Sequence, residues 1–312
     1  MKIAVMDDYQ NVIKDLNCMS LLAGHEVMVV SDILTQEEKI QTLGSVDGVV
    51  LIRERTQINE AFLSALPNLK VISQTGKISN HIDVEACQRH GVTILEGVGS
   101  PVAPAELCWA LVMAASRHIV PYASGLKEGK WQAAGSLGLG RVLDGLVFGI
   151  WGFGKIGQRV AHYATAFGMK VMVWGSESSR QKAEEMGYLA AESKQAFFAQ
   201  ADVLSLHLRL NEATTGVVTQ ADLSLMKPDS LFVNISRAEL VEHGALLASL
   251  GSGHPGFAAV DVFEQEPILG AADPLLSLQN VLATPHIGYV EKQSYELYCR
   301  VAFENIVRFF TS

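Results

Sequence analysis

Short runs of apolar residues, rich in β-branched side chains, recur along this chain and are separated by segments whose apolar positions follow helical spacing. In the first third, runs at 2–6, 26–30, 48–52, 70–74 and 93–95 alternate with helix-like segments at 36–43, 59–66 and 84–90. The alternation predicts a doubly wound parallel sheet. It resumes later, with strands expected at 146–151, 169–174, 202–206, 231–234, 257–260 and 281–283, and a helical pattern at 289–310. Two α/β domains follow from this, with the crevice between them as the default ligand site.

A different kind of segment lies between the two alternating stretches, at 100–117. Ser100 is placed as an N-cap and Pro101 as first helical residue. Its Leu107, Ala110, Leu111, Met113 and Ala114 exceed what a one-sided surface helix needs, so this helix is expected to pack on two sides. The stretch around 125–145, with its glycines, reads as a linker.

The strongest local signal is at 146–174. An apolar run is followed at once by Gly152, Gly154 and Gly157 in G-x-G-x-x-G spacing, then by Ile156, Val160, Tyr163, Ala164 and Phe167 at helical spacing, then by a second apolar run. A pyrophosphate needs bare N–H groups at a helix N-terminus. Gly152 permits the tight turn, Gly154 lets backbone approach the phosphates, and Gly157 lets the helix pack on the strand. The βαβ context makes dinucleotide binding the expectation.

Composition narrows the partners. The chain has 312 residues, 49% of them apolar, which is enough for large cores, and 24 basic residues stand against 33 acidic ones for a formal charge of −9. No basic cluster offers a footprint for nucleic acid. Cys18, Cys87, Cys108 and Cys299 are far apart and make no metal-ligand spacing, so reduced thiols and no metal are expected. With no signal-like start and no run of membrane length, the expectation is a cytoplasmic protein without a membrane partner.

Three strand ends in the second half carry polar residues within apolar surroundings: Asn234 to Arg237, Asp261 to Pro267, and Thr284 to Gly288. Carboxyl ends of parallel strands face the ligand crevice, so these groups should converge. The planar fork of Arg237 suits a carboxylate. His286 can exchange a proton near neutral pH, and a carboxylate such as Glu266 would fix its tautomer. Beside a nicotinamide, that set suits hydride and proton transfer at a carbonyl next to a carboxylate.

On these motifs, with 233–242 (VNISRAELVE), the chain resembles the D-isomer-specific 2-hydroxyacid dehydrogenases over nearly its whole length. The resemblance implies a flavodoxin-like substrate domain, residues 1–98 plus 290–312, and a Rossmann cofactor domain, residues 99–289. It implies catalysis by Arg237, Glu266 and His286, with Arg237 on the substrate carboxylate, His286 as acid/base and Glu266 bonded to it. Cofactor contacts fall to Gly152, Phe153, Gly154, Lys155, Ile156, Gly157, Ser176, Arg180, His207 and Asp261, the last holding the carboxamide. Substrate contacts fall to Thr75, Gly76 and Lys77. A homodimer through the 100–117 region is also implied, on a 2-keto or 2-hydroxy acid as substrate.

Three positions depart from the family. Lys77 and Ile78 stand in a substrate loop that usually has a second glycine, which would add positive charge to the pocket. Arg209 replaces a frequent proline. Gly175 stands where relatives carry an acid for the ribose 2′-hydroxyl, and Ser176, Glu177, Ser178, Ser179 and Arg180 follow it. Serines and Arg180 favour a 2′-phosphate while Glu177 opposes it, so either NAD or NADP is usable, with a slight lean to NADP. Two other readings share this fold: a formate- or phosphite-type dehydrogenase, and a cofactor-sensing scaffold without turnover.

Overall fold

The computed structural model describes residues 1–311. Its chain divides into two compact units, Met1–Ser100 together with the chain from Val290 onward, and Pro101–Tyr289.

The first unit holds five strands, β1 (Lys2–Val5), β2 (Glu26–Val29), β3 (Gly48–Leu51), β4 (Val71–Gln74) and β5 (Thr93–Leu95). All are parallel, in the order β2-β1-β3-β4-β5. Both β3 and β4 are buried at every residue; β3 is a continuous apolar run, whereas in β4 the buried Ser73 and Gln74 donate to the carbonyls of Ala302 and Arg53 at 2.8 and 2.9 Å. Helices start where short polar side chains can take orphan N–H groups: Thr35 caps Gln36–Leu43 in a reciprocal box with Glu38, Asn59 caps Glu60–Ala65, and Asp83 caps Val84–Arg89. The final helix begins at Lys292 rather than at 289, because Tyr289 belongs to the preceding turn.

The second unit holds β6 (Val147–Trp151), β7 (Lys170–Trp174), β8 (Leu189–Ala190), β9 (Val203–Leu206), β10 (Leu231–Asn234), β11 (Phe257–Val260) and β12 (Val281–Ala283). Their order is β12-β11-β10-β9-β6-β7-β8, again all parallel. Trp174 pairs with Trp151, Trp151 with Leu206, Leu206 with Asn234, Asn234 with Val260 and Val260 with Ala283. The last residues of six strands therefore stand in one row, and every loop that follows them leaves from the same edge.

The apolar segment forms the helix Val102–Ser116. Pro101 itself occupies the N-cap position without a side-chain cap, and Ser100 instead donates its N–H to the Tyr298 hydroxyl at 2.9 Å. Leu111 is only 3% exposed and packs with Ala105, Cys108 and Val112 into the core of its own unit. Of the five surplus residues only Leu111 is thus fully absorbed; Leu107, Met113 and Ala114 are half-buried and Ala110 is exposed. Several large exposed apolar side chains lie just downstream, where the helix Ile119–Lys127 runs into the first residues of the expected linker. Trp131 is 77% exposed and Leu139 91%, with Ile119, Val120, Leu126 and Val142 also exposed.

Candidate active site

Each glycine of the fingerprint has its own physical cause. Gly152 has φ +99°, and a Cβ there would meet the His207 carbonyl oxygen at 2.5 Å. At Gly157 a Cβ would meet the Gly152 carbonyl oxygen at 2.3 Å, so the helix Lys155–Ala166 can lie against β6 only without one. Gly154, the N-cap of that helix, faces open space. Bare backbone at a helix start beside open space is what a pyrophosphate requires. Of the side chains in this loop, Phe153 is buried against the Tyr188 ring, while Lys155 is exposed. Gln158 holds the turn by donating its amide to the Phe153 carbonyl at 2.8 Å.

At the end of β7, Gly175 has φ +152°, a conformation that a side chain strains. Ser176 caps the helix Glu177–Glu185 by accepting the Ser179 N–H, and its hydroxyl also lies 3.0 Å from the hydroxyls of Ser178 and Ser179. Arg180 folds back from that helix, its guanidinium carbon 5.0 Å from the centroid of the Trp174 ring. Its Nε is buried without a hydrogen-bond partner among the described residues.

At the end of β9, Ser205 Oγ lies 3.0 Å from His207 Nε2 and 3.3 Å from Cys108 Sγ, a chain of three groups leading into the core. Burial lowers the His207 pKa to about 4, so the ring is neutral, and it pushes the Cys108 thiol up to about 12.

The loop after β10 is folded by its own side chains. Asn234 Oδ1 accepts the Ser236 N–H at 3.0 Å, Asn234 Nδ2 donates to the Arg237 carbonyl at 2.8 Å, and Ser236 Oγ donates to the Leu206 carbonyl at 2.7 Å. These bonds fix where Arg237 departs. Its half-buried guanidinium donates to the Ser236 carbonyl at 2.6 Å.

Beyond β12 the backbone turns at His286, which has φ +51°, unusual for a residue with a side chain. Asp261, fully buried at the end of β11, pins this turn: Oδ1 accepts from Thr284 Oγ1 at 2.6 Å and from the Ile287 N–H at 2.8 Å, and Oδ2 accepts from the Gly288 N–H at 2.9 Å. Burial raises the Asp261 pKa, opposed by these hydrogen bonds. His286 Nδ1 lies 2.6 Å from Glu266 Oε2, and Glu266 Oε1 accepts the Phe263 N–H at 3.0 Å. An ionised carboxylate only accepts, so Nδ1 carries the proton and Nε2 is left for a ligand.

In the first unit, Thr75 is buried, its hydroxyl accepting the Arg53 N–H at 3.1 Å. Arg53 has φ +58°, and a Cβ on Gly76 would meet the end of its side chain at 2.6 Å. Lys77 is not a lone cation here. Its ammonium lies 2.6 Å from a Glu96 oxygen, and the other oxygen accepts the Ile78 N–H at 3.0 Å. The expected gain of positive charge is largely cancelled.

The sequence carries no local signal for Gln158, Ser205 or Cys108, because their roles lie in individual contacts, Gln158 to the Phe153 carbonyl and Ser205 to both His207 and Cys108, that no motif marks. The polar groups at the ends of β10, β11 and β12 do sit on one edge with the glycine loop, as parallel register demands.

A parallel seven-stranded sheet with a glycine-rich turn after an interior strand, β6, and polar loops along one edge defines a dinucleotide-binding fold. The family model described as "D-isomer specific 2-hydroxyacid dehydrogenase, NAD binding domain" matches residues 109–288. The chain is 34% identical to a hydroxypyruvate reductase of Thermotoga maritima, over 93% of this chain and 92% of that one. It is 32% identical to a D-3-phosphoglycerate dehydrogenase of Methanocaldococcus jannaschii over 88% of its length, and spans 51% of that longer protein. The crystal structure of a phosphoglycerate oxidoreductase from Vibrio cholerae O395 superposes with TM-score 0.97 at 61% identity, covering 100% of this chain and 99% of that one. The chain belongs to the D-isomer-specific 2-hydroxyacid dehydrogenase family. It is an oxidoreductase of 2-hydroxy acids that works with a nicotinamide cofactor. No helix among the described residues is long and apolar enough to cross a membrane.

Proposed function

We propose that this enzyme interconverts a small 2-keto acid and its D-2-hydroxy acid, with His286 as the proton donor and acceptor at the substrate oxygen. The observation that carries the reading is the 2.6 Å contact between Glu266 and His286 Nδ1, on a loop held in a left-handed turn by Asp261. The bound nicotinamide supplies or accepts the hydride. Glu266 orients the ring, Nε2 gives its proton to the carbonyl oxygen in reduction and recovers it in oxidation, and Arg237 holds the carboxylate. In the first unit, the loop at Thr75, Gly76 and Lys77 is assigned to substrate.

The glycine loop, Arg180 and His207 are assigned to the cofactor, and so is Asp261, whose Oδ2 retains an acceptor position. Use of either NAD or NADP is proposed, and the slight lean to NADP rests on Arg180, beside Trp174 at the end of β7, since the hydroxyls of Ser176, Ser178 and Ser179 already engage one another. A homodimer is proposed through the exposed apolar stretch that includes Trp131 and Leu139. Four unpaired, buried cysteines accord with a cytoplasmic location.

Turnover separates this reading from a scaffold. The test is a spectrophotometric panel of glyoxylate, hydroxypyruvate, phosphohydroxypyruvate, pyruvate, 2-ketobutyrate and phenylpyruvate, each with NADH and NADPH. Reduction of at least one keto acid is expected, with loss of the rate in His286→Gln. No turnover with any of them would sink the proposal.

A further inference from the structure

A cavity of about 470 Å³ opens in the second unit, within the size range of small-molecule sites. Val241, Leu246, Val262, Ile268, Leu269 and Leu275 supply apolar wall. Glu242, His243, Glu264 and Asp273 add polar groups, the first three exposed to solvent. Three carboxylates thus stand against one imidazole, which pairs with Glu264. Glu242 Oε2 accepts the Gln220 N–H at 3.1 Å and Asp273 Oδ1 the Leu275 N–H at 2.8 Å, so both acids are fixed in place.

The cavity also touches the backbone of both proposed catalytic loops. Phe263 and Pro267, on either side of Glu266, line it, and Phe263 donates the N–H that holds Glu266 Oε1 at 3.0 Å. Asn234 and Ala238, on either side of Arg237, line it as well, and Asn234 holds the Arg237 carbonyl.

We propose that this cavity is an effector site for a small organic cation, an apolar body carrying one ammonium group, whose occupancy alters turnover through the loops of Glu266 and Arg237. The apolar walls take the body and the acidic mouth takes the charge. A cation is also repelled by the arginine assigned to the substrate carboxylate, so it does not compete for the reaction site. The effect on rate rests on the proposed roles of Glu266 and Arg237. Binding does not.

Phenethylammonium is the probe and 2-phenylethanol its neutral counterpart, titrated calorimetrically into the cofactor-loaded enzyme. The ammonium should bind about tenfold more tightly than the alcohol, equivalent to about 1.4 kcal/mol. The Glu242→Gln/Glu264→Gln double variant should bring the two together, and Leu247→Trp, which fills the cavity, should weaken both. At saturation the ammonium should change kcat at least about threefold while the cofactor Kd stays constant. Equal binding of ammonium and alcohol, binding indifferent to all three substitutions, or an unchanged kcat at saturation would each overturn the proposal. If His286→Gln were fully active, the catalytic assignment would fail while the calorimetric comparison still decided whether the cavity takes a cation.

Discussion

Glu266 and His286 are joined at 2.6 Å through Oε2 and Nδ1, and the second carboxylate oxygen is held at 3.0 Å by the N–H of Phe263. The glutamate is thus fixed at both oxygens, and it fixes which imidazole nitrogen faces outward. His286→Gln should lower kcat by at least ~10², the usual cost of losing a general acid, with cofactor affinity near normal. Glu266→Gln, which keeps the shape but can present an amide N–H to Nδ1, should lower kcat by roughly tenfold and leave KM for the keto acid within about twofold. Steady-state kinetics on both variants decide it, and equal losses in kcat and in cofactor binding would point to collapse of the loop instead.

Much of this arrangement is legible in the sequence because parallel strands impose it. The apolar runs that become β6, β9, β10, β11 and β12 also determine which residues fall at their ends, so the polar groups there share an edge whatever their chemistry. The helix Val102–Ser116 shows what composition leaves open. Its apolar surplus is equally consistent with an interface and with a doubly packed core helix, and only the third dimension reveals that Leu111 lies in the core of its own unit. Lys77 is a second case, since Glu96, its partner, is nineteen residues away on the adjoining strand's loop.

The conditions on the first two glycines of the loop are separable. Gly152→Ala would push a methyl group onto the His207 carbonyl at 2.5 Å in a left-handed conformation, and should cost several kcal/mol of stability as well as cofactor binding. Gly154→Ala meets nothing within 4 Å, so its melting temperature should stay within a few degrees while the cofactor Kd rises on the order of tenfold or more. Thermal melts and fluorescence titrations of NADH check the contrast. A Gly154→Ala enzyme with wild-type affinity would show that no ligand backbone passes there.

His207 makes stability depend on pH. Burial holds its folded-state pKa at about 4, below the 6.5 of an exposed histidine, so the unfolded chain takes up the proton first as pH falls. Its contribution is present in full above pH 6.5 and is lost progressively between 6.5 and about 4, on the order of 2 kcal/mol by pH 5. Urea unfolding at pH 7.5 and 5.0 should therefore show a larger loss for the wild type than for His207→Asn. Identical losses would place the ring in water.

The proposed dimer moves its test from Leu111 to Trp131 and Leu139. Leu111→Asp buries an unpaired charge in the core and should yield unfolded or aggregated protein. Trp131→Glu with Leu139→Glu alters side chains that are 77% and 91% exposed in the single chain, so the fold should survive while association weakens. Light scattering at micromolar concentration should report a dimer for wild type and a monomer for the double variant, with unchanged far-ultraviolet circular dichroism. A wild-type monomer removes the surface's assigned role.

Cofactor choice turns on Gly175 and Arg180. At φ +152° the backbone of residue 175 disfavours a side chain, so an acid cannot simply be restored there to bind a ribose 2′-hydroxyl. Arg180, stacked on Trp174 at the end of β7, offers a guanidinium to a 2′-phosphate, whereas Glu177 in the same turn opposes a dianion. Attraction and repulsion of similar size should leave the wild-type kcat/KM for NADPH and NADH within about tenfold of each other, or ~1.4 kcal/mol. Arg180→Ala should lower kcat/KM for NADPH alone, by roughly tenfold, and Glu177→Gln should raise it several-fold. A wild-type preference for NADH above ~100-fold, about 2.7 kcal/mol, would mean that Glu177 excludes the phosphate and that Arg180 serves only to pack against the Trp174 ring.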